Sequence, residues 1–125
     1  MSKNVELFER GVEAWNRGDF EAWIRRFDPD FEWHALLEVY RGHEGARRAW
    51  DSFRADVELR VRFDDVRDLG ESVLAIGEAN AIGQRTGLHL TAELAQLVTF
   101  RDGRVVTCRD FASHAEALEA TGLEA

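Results

Sequence analysis

Between Thr99 and Phe111 the chain reads Thr-Phe-Arg-Asp-Gly-Arg-Val-Val-Thr-Cys-Arg-Asp-Phe, two β-forming runs on either side of Asp102-Gly103. Asp-Gly in that setting predicts a tight hairpin, because the primed turns need positive φ and glycine adopts it without steric cost. The hairpin commits the C-terminal half to antiparallel sheet. Whatever precedes it must supply neighbouring strands and the layer that covers them.

Those strands are legible upstream. Val57, Leu59, Val61 and Phe63 alternate with Glu58, Arg60 and Arg62, the period of a strand with one buried face. From Ser72 to about Gln84, Ala75, Gly77, Ala79, Ala81 and Gly83 form a row almost without side chains, opposite Ile76, Glu78, Asn80 and Ile82. Such a row admits either a closely packed helix or a space kept for a ligand. Leu90, Ala92, Leu94, Val98 and Phe100 share a face of the next strand, interrupted by one polar residue, Gln96.

The N-terminal half has the helical period. Val5, Phe8, Val12 and Trp15 stripe a helix from Asn4 to Arg17, and Gly18-Asp19 ends it and caps a second one that carries Phe20, Trp23, Ile24 and Phe27. Asp28-Pro29 is read as its stop, Phe31 to His34 as a short first strand, and Leu36, Leu37, Val39 and Tyr40 as an unusually apolar loop. A third helix follows Gly42 to Gly45 and buries Ala46, Ala49, Trp50 and Phe53, and Ser113 to Glu116 is a capping box for a short last helix. The expected architecture is α+β, one domain over residues 1–125, with helices on the concave face of a curved antiparallel sheet that forms a cone. The open end of a cone is a natural small-molecule pocket.

With 16 basic and 24 acidic residues the net charge is −8, which argues against a nucleic-acid partner. The sequence holds no apolar run long enough to cross a bilayer, so no membrane association is expected, and Met1-Ser2-Lys3-Asn4 leads into a polar-faced helix rather than a signal peptide. A single cysteine, Cys108, fits a reducing cytoplasm.

Five stretches in order resemble the SnoaL-like group of the nuclear-transport-factor-2-like superfamily, relatives of ketosteroid isomerases and polyketide cyclases. They are Ala14 to Asp19, Phe27 to His34, Tyr40 to Gly45, Phe100 to Val105 and Ala117 to Leu123. The resemblance implies a cone-shaped α+β barrel, commonly dimeric through its outer sheet face, whose cavity serves enzymes and binding proteins alike. It also implies departures. The positions that in ketosteroid isomerases hold the aspartate base, the oxyanion-hole tyrosine and the protonated aspartic acid fall here at about Ala35, Gly11 and Gln96, so steroid isomerisation by that mechanism is not expected. The same placement turns Trp15, Phe27, Trp33, Trp50, Ala79, Ala81, Gln96, Val98, Cys108 and Asp110 toward the cavity. Tyr40 is expected there as well.

Asp110 shares strand parity with Cys108 and Val106, which sets a carboxyl among apolar neighbours where desolvation raises its pKa toward the range of acid–base work. A structural carboxylate bonded to backbone or to Arg109 is the other reading. Gln96 must find partners for its amide, either a ligand or Asp110. His34, at the end of the first strand, could assist as a base or simply face solvent. Cys108 reads as a small buried hydrophobe, and Arg109 lies on the opposite face, which does not support the Asp-Arg-Asp arrangement of limonene-type epoxide hydrolases. His43, His89 and His114 show no converging spacing, so neither a metal nor another cofactor is expected. The sequence thus leaves two functions open: a cofactor-independent acid–base enzyme acting on a small apolar carbonyl compound, with Asp110, Gln96 and His34 as its polar groups, or a non-catalytic pocket or dimeric interaction module. A homodimer is expected through Ile82, Ala95, Leu97 and Val105 on the outer sheet face.

Overall fold

The computed structural model describes residues 3–123; Met1, Ser2 and the last two residues of the expected domain lie outside the described residues. Three helices come early: α1 (Lys3–Arg17), α2 (Phe20–Ile24) and α3 (Gly42–Phe53). Strands β1 (Phe27–His34) and β2 (Val39–Arg41) lie between α2 and α3, and β3 (Val57–Asp68), β4 (Ser72–Gly83), β5 (His89–Arg101) and β6 (Arg104–Phe111) precede α4 (His114–Thr121). They form one curved, unclosed six-stranded sheet of order β2-β1-β6-β5-β4-β3.

The β5–β6 hairpin turns at Asp102 (φ 53°) and Gly103 (φ 77°), the two positive values that a type I′ turn requires. Asp19 caps α2 by accepting from the Ala22 amide at 3.1 Å, and Ser113 Oγ caps α4 by accepting from the Glu116 amide at the same distance. On α1, Asn16 clips the helix to edge strand β3: its Nδ2 donates to Val61 O at 2.8 Å and its Oδ1 accepts from Val61 N at 2.9 Å. Edge strands leave backbone groups unpaired, and Asn16 satisfies two of them. Replacing Asn16 with Ala is expected to cost about 1 to 3 kcal/mol of stability, measured by urea denaturation, since both groups of Val61 lose a partly buried partner.

Several expectations are corrected. The second helix ends at Ile24, and the first strand begins at Phe27 rather than Phe31. Pro29 is tolerated inside β1 because the pairing with β6 is irregular there, jumping from Phe27–Val105 to Glu32–Thr107, so no ladder donor is missed. That pairing is parallel, so the sheet is not wholly antiparallel; nor is it closed as a barrel, β2 and β3 being free edges. Val39 to Arg41 form a strand paired with β1, not a loop. Strand β3 runs past Phe63 to Asp68 through a bulge at Asp64.

A second bulge alters the parity of β6. Thr99 pairs with Thr107 but Phe100 with Val105, which leaves Val106 as the extra residue. Val105, expected on the outer face, is therefore turned inward, where it is buried and lines the cavity, and Val106 is not the inward neighbour of Cys108. Helices α1 to α3 cover one face through a core that includes Trp15, Trp23, Phe31, Ala75 and Val98. Helix α4 lies on the other face, where Ala117 packs with Leu74, Ile76, Ala95 and Phe111. Ala95, like Val105, is thus unavailable as an outer contact.

Candidate functional site

A cavity of about 810 Å³ opens between the helical layer and the sheet. The sheet contributes Ala79, Leu94, Gln96, Val98, Val105, Cys108 and Asp110, and the helical side contributes Phe8, Gly11, Val12, Trp15 and Trp23. Ala35 to Glu38, with Ser52, Phe53, Asp56 and Val57, form its rim, where Leu36 and Leu37 stand 55% and 100% exposed. The apolar stretch between β1 and β2 therefore borders the mouth.

The wall is largely apolar and rich in aromatic rings. Trp15 meets Trp23 edge-on at 5.3 Å and Trp33 at 6.3 Å, and Phe27 stacks on Phe31 at 4.2 Å. The Trp15 indole N–H is tied to Leu59 O at 3.0 Å, which locks its ring. The indole nitrogen of Trp33, by contrast, is buried without a hydrogen-bond partner.

At the sheet end of this cavity lies a polar group of three residues. Gln96 and Asp110 are register partners across β5 and β6, so their side chains leave the sheet side by side, and Gln96 Nε2 donates to Asp110 Oδ1 at 2.9 Å. Cys108, two residues before Asp110 on the same face, directs its Sγ to that oxygen at 3.9 Å. Trp33 pairs with Cys108 across β1 and β6, which brings its N–H toward the same carboxyl. Asp110 remains half-buried, its open surface facing the cavity. Burial pushes its carboxyl up from 3.8 to about 6, against the smaller opposing effects of Gln96, Trp33 and Cys108. A carboxyl in that range exchanges its proton readily near neutral pH. Burial, followed by the neighbouring Asp110, holds the Cys108 thiol well above its ordinary value, so it stays protonated and is a poor nucleophile.

The sheet and helices bring together Trp15, Phe27, Trp33, Tyr40, Ala79, Gln96, Val98, Cys108 and Asp110 around one space. Three expected residues are not among them. Ala81 lies farther along β4, half-buried outside the cavity, and Trp50 packs behind Trp15 and Trp23, at 5.0 Å from each. His34 is on the opposite side of β1 from Trp33, with a 44% exposed side chain whose Nε2 meets Glu32 at 3.1 Å; alternation along the strand carries it away from Asp110. The small-residue row likewise serves more than the cavity: Gly77 accommodates the β3 backbone, and among its five members Ala79 alone lines the space. His43 and His114 are structural, meeting Phe27 O at 2.8 Å and Gly77 O at 2.6 Å. Among the described residues no group of three His, Cys, Asp or Glu side chains could hold a metal ion.

Arg26 was not a candidate from the sequence. It sits in the turn between α2 and β1, its carbonyl accepting from Val105 N at 2.9 Å, and its guanidinium lies over Gly11 in the cavity wall. The only signal was Gly11 itself, a missing side chain on the buried face of α1 between Phe8 and Trp15, whose space something else had to fill.

These features define an α+β protein whose helices and open sheet enclose an aromatic-walled cavity. The chain belongs to the SnoaL-like domain family of the NTF2-like fold, whose family model matches residues 8–108. It is 30% identical to an uncharacterized PhzA/B-like protein of Pseudomonas aeruginosa, over 94% of this chain and 89% of that one. An NTF2-like protein of unknown function from Burkholderia pseudomallei superposes with a TM-score of 0.83 at 22% identity, covering 95% of this chain and 97% of the other. TerC, co-crystallised with polyporic acid, superposes with a TM-score of 0.81 at 20% identity, covering 94% and 97%. Among the described residues no helix is long and apolar enough to cross a membrane.

Proposed function

We propose that this protein takes a small, largely apolar carbonyl compound into the cavity and moves a proton on it without a cofactor, in an isomerisation, dehydration or aldol-type cyclisation. The observation that carries this reading is Asp110: a carboxyl at about 6, open to an apolar cavity and held by Gln96. Ionised, Asp110 would abstract the proton next to the carbonyl and later return it. Gln96 positions the carboxyl rather than reacting. The Trp33 N–H, buried and turned toward the Asp110 carboxyl without a well-formed hydrogen bond, is a donor that can serve a ligand oxygen beside Asp110. That TerC, a protein of this fold, was co-crystallised with polyporic acid supports a small-molecule ligand as the reading. A second copy of the chain is the proposed partner, through the part of the outer face around Ile82 and Leu97 that α4 leaves in contact with solvent.

The test is deuterium exchange into the methyl group of 2-acetylnaphthalene in heavy water, followed by proton NMR. The expected result is exchange faster than the buffer rate with an inflection near pH 6, falling roughly 100-fold or more in Asp110→Asn. Binding of the ketone without faster exchange would leave the non-catalytic pocket module as the reading, since that module needs the cavity and not the proton transfer.

A further inference from the structure

The proposed acid–base site occupies one part of the cavity, and the cavity has a second polar pole that the reaction as stated does not use. Arg26 lines the same space, and a Cβ built on Gly11 would come within 2.0 Å of its Cζ, so the guanidinium fills the place where α1 lacks a side chain. Its interactions are sparse for a group with five N–H donors. Nη1 reaches Leu7 O at a long 3.4 Å, the Phe27 ring lies 5.1 Å from Cζ, and Nε is buried with no partner. Among the described residues no carboxylate forms an ion pair with it, in a chain with 24 acidic residues.

A buried cation without an anion is strongly unfavourable, and proteins rarely keep one unless something completes it. Enclosure by protein lowers the guanidinium pKa from its ordinary value to about 10, so it remains charged at neutral pH. The Cys108 thiol is close enough to both poles to feel the charge of Asp110 and of Arg26. The other acidic side chains bordering the cavity, Glu38 and Asp56, belong to its rim.

We propose that Arg26 anchors an anionic group, so that the carbonyl compound taken by this cavity also carries an acidic group on an aromatic body, a carboxylate or an acidic phenol or enol. This rests on the pocket reading and narrows it. A planar guanidinium presents its donors in the fork that a carboxylate fits, and the Phe27 ring beside it, with Trp15 and Trp23 elsewhere in the cavity wall, supplies faces for an aromatic body. Seated this way, the ligand would direct its opposite end toward Cys108 and Asp110.

The test compares 2-naphthoate with 2-naphthamide, an uncharged probe of nearly the same shape, by isothermal titration calorimetry at neutral pH and physiological salt. Wild type is expected to bind naphthoate about tenfold or more tightly than naphthamide. Arg26→Met, which keeps length and removes charge, should abolish that preference while leaving naphthamide nearly unchanged, and Arg26→Lys should retain part of it. If wild type binds both probes equally, the cavity stands as a binding site and the anchoring role is overturned. If it binds neither, the pocket reading fails and takes this one with it. Should Arg26→Met not fold, the wild-type preference and its reduction in Arg26→Lys decide the matter, and an undiminished preference in Arg26→Lys together with Arg26→Ala would overturn it.

Discussion

Raising the pH from about 4 to about 7 is expected to remove up to about 3 kcal/mol of the stability difference between wild type and Asp110→Asn, because the Asp110 carboxyl ionises at 3.8 in the unfolded chain and at about 6 in the folded one. Below 3.8 both states hold the proton and the carboxyl favours neither. Between 3.8 and about 6 the unfolded chain ionises while the native state does not, so stability falls as pH rises. Above about 6 both are ionised and the loss is complete. Asp19 and Asp65 act in the opposite sense, since the Ala22 backbone and Arg67 respectively hold their carboxyls down, which is why the variant is subtracted. The expected curve from urea denaturation is a wild-type stability that declines relative to Asp110→Asn through this window and then levels. A difference that is flat, or that rises with pH, would show that Asp110 is paired and ionised, and would remove the basis for its proton-transfer role.

Gly77→Ala is expected to be the most damaging single substitution in the sheet, costing about 4 kcal/mol or more, or preventing folding. At Gly77 the bulge at Asp64 pushes the β3 backbone inward, and a Cβ there would stand 1.8 Å from the Arg62 carbonyl oxygen and 2.6 Å from Phe63 Cα. Backbone on both sides cannot yield as the end of a side chain could, so the bulge would have to be lost and with it the bend of β3 over β4. Thermal and chemical denaturation of the variant measure the effect. A loss below about 1 kcal/mol, the ordinary size for a tolerated substitution, would mean that the bulge moves freely.

Much of the cavity's sheet wall was legible because parity is a local property. Gln96, Val98, Cys108 and Asp110 alternate within two strands joined by a two-residue turn, and such a turn dictates which residues lie opposite one another. The partnership of Gln96 with Asp110 was one of two options left open by the composition of that face. The bulge at Val106 escaped notice because one extra residue leaves no trace in an alternating pattern of Val, Val, Thr and Cys. It reversed Val105 while Cys108 and Asp110, beyond it, kept their common face.

The sequence by itself determined the α1 stripe, the Asp19 and Ser113 caps, the Asp102-Gly103 turn and the kinship to SnoaL-like domains, all carried by neighbours within a few residues or by motifs in a row. Tertiary structure alone decided the parallel β1–β6 pairing and the placement of α4 on the face opposite the other helices, because these depend on segments far apart in the chain finding one another. It also decided the charge inside the cavity. Where a long side chain in a turn points is set by the vacancy that awaits it, and the vacancy for Arg26 is made by Gly11 on a different helix.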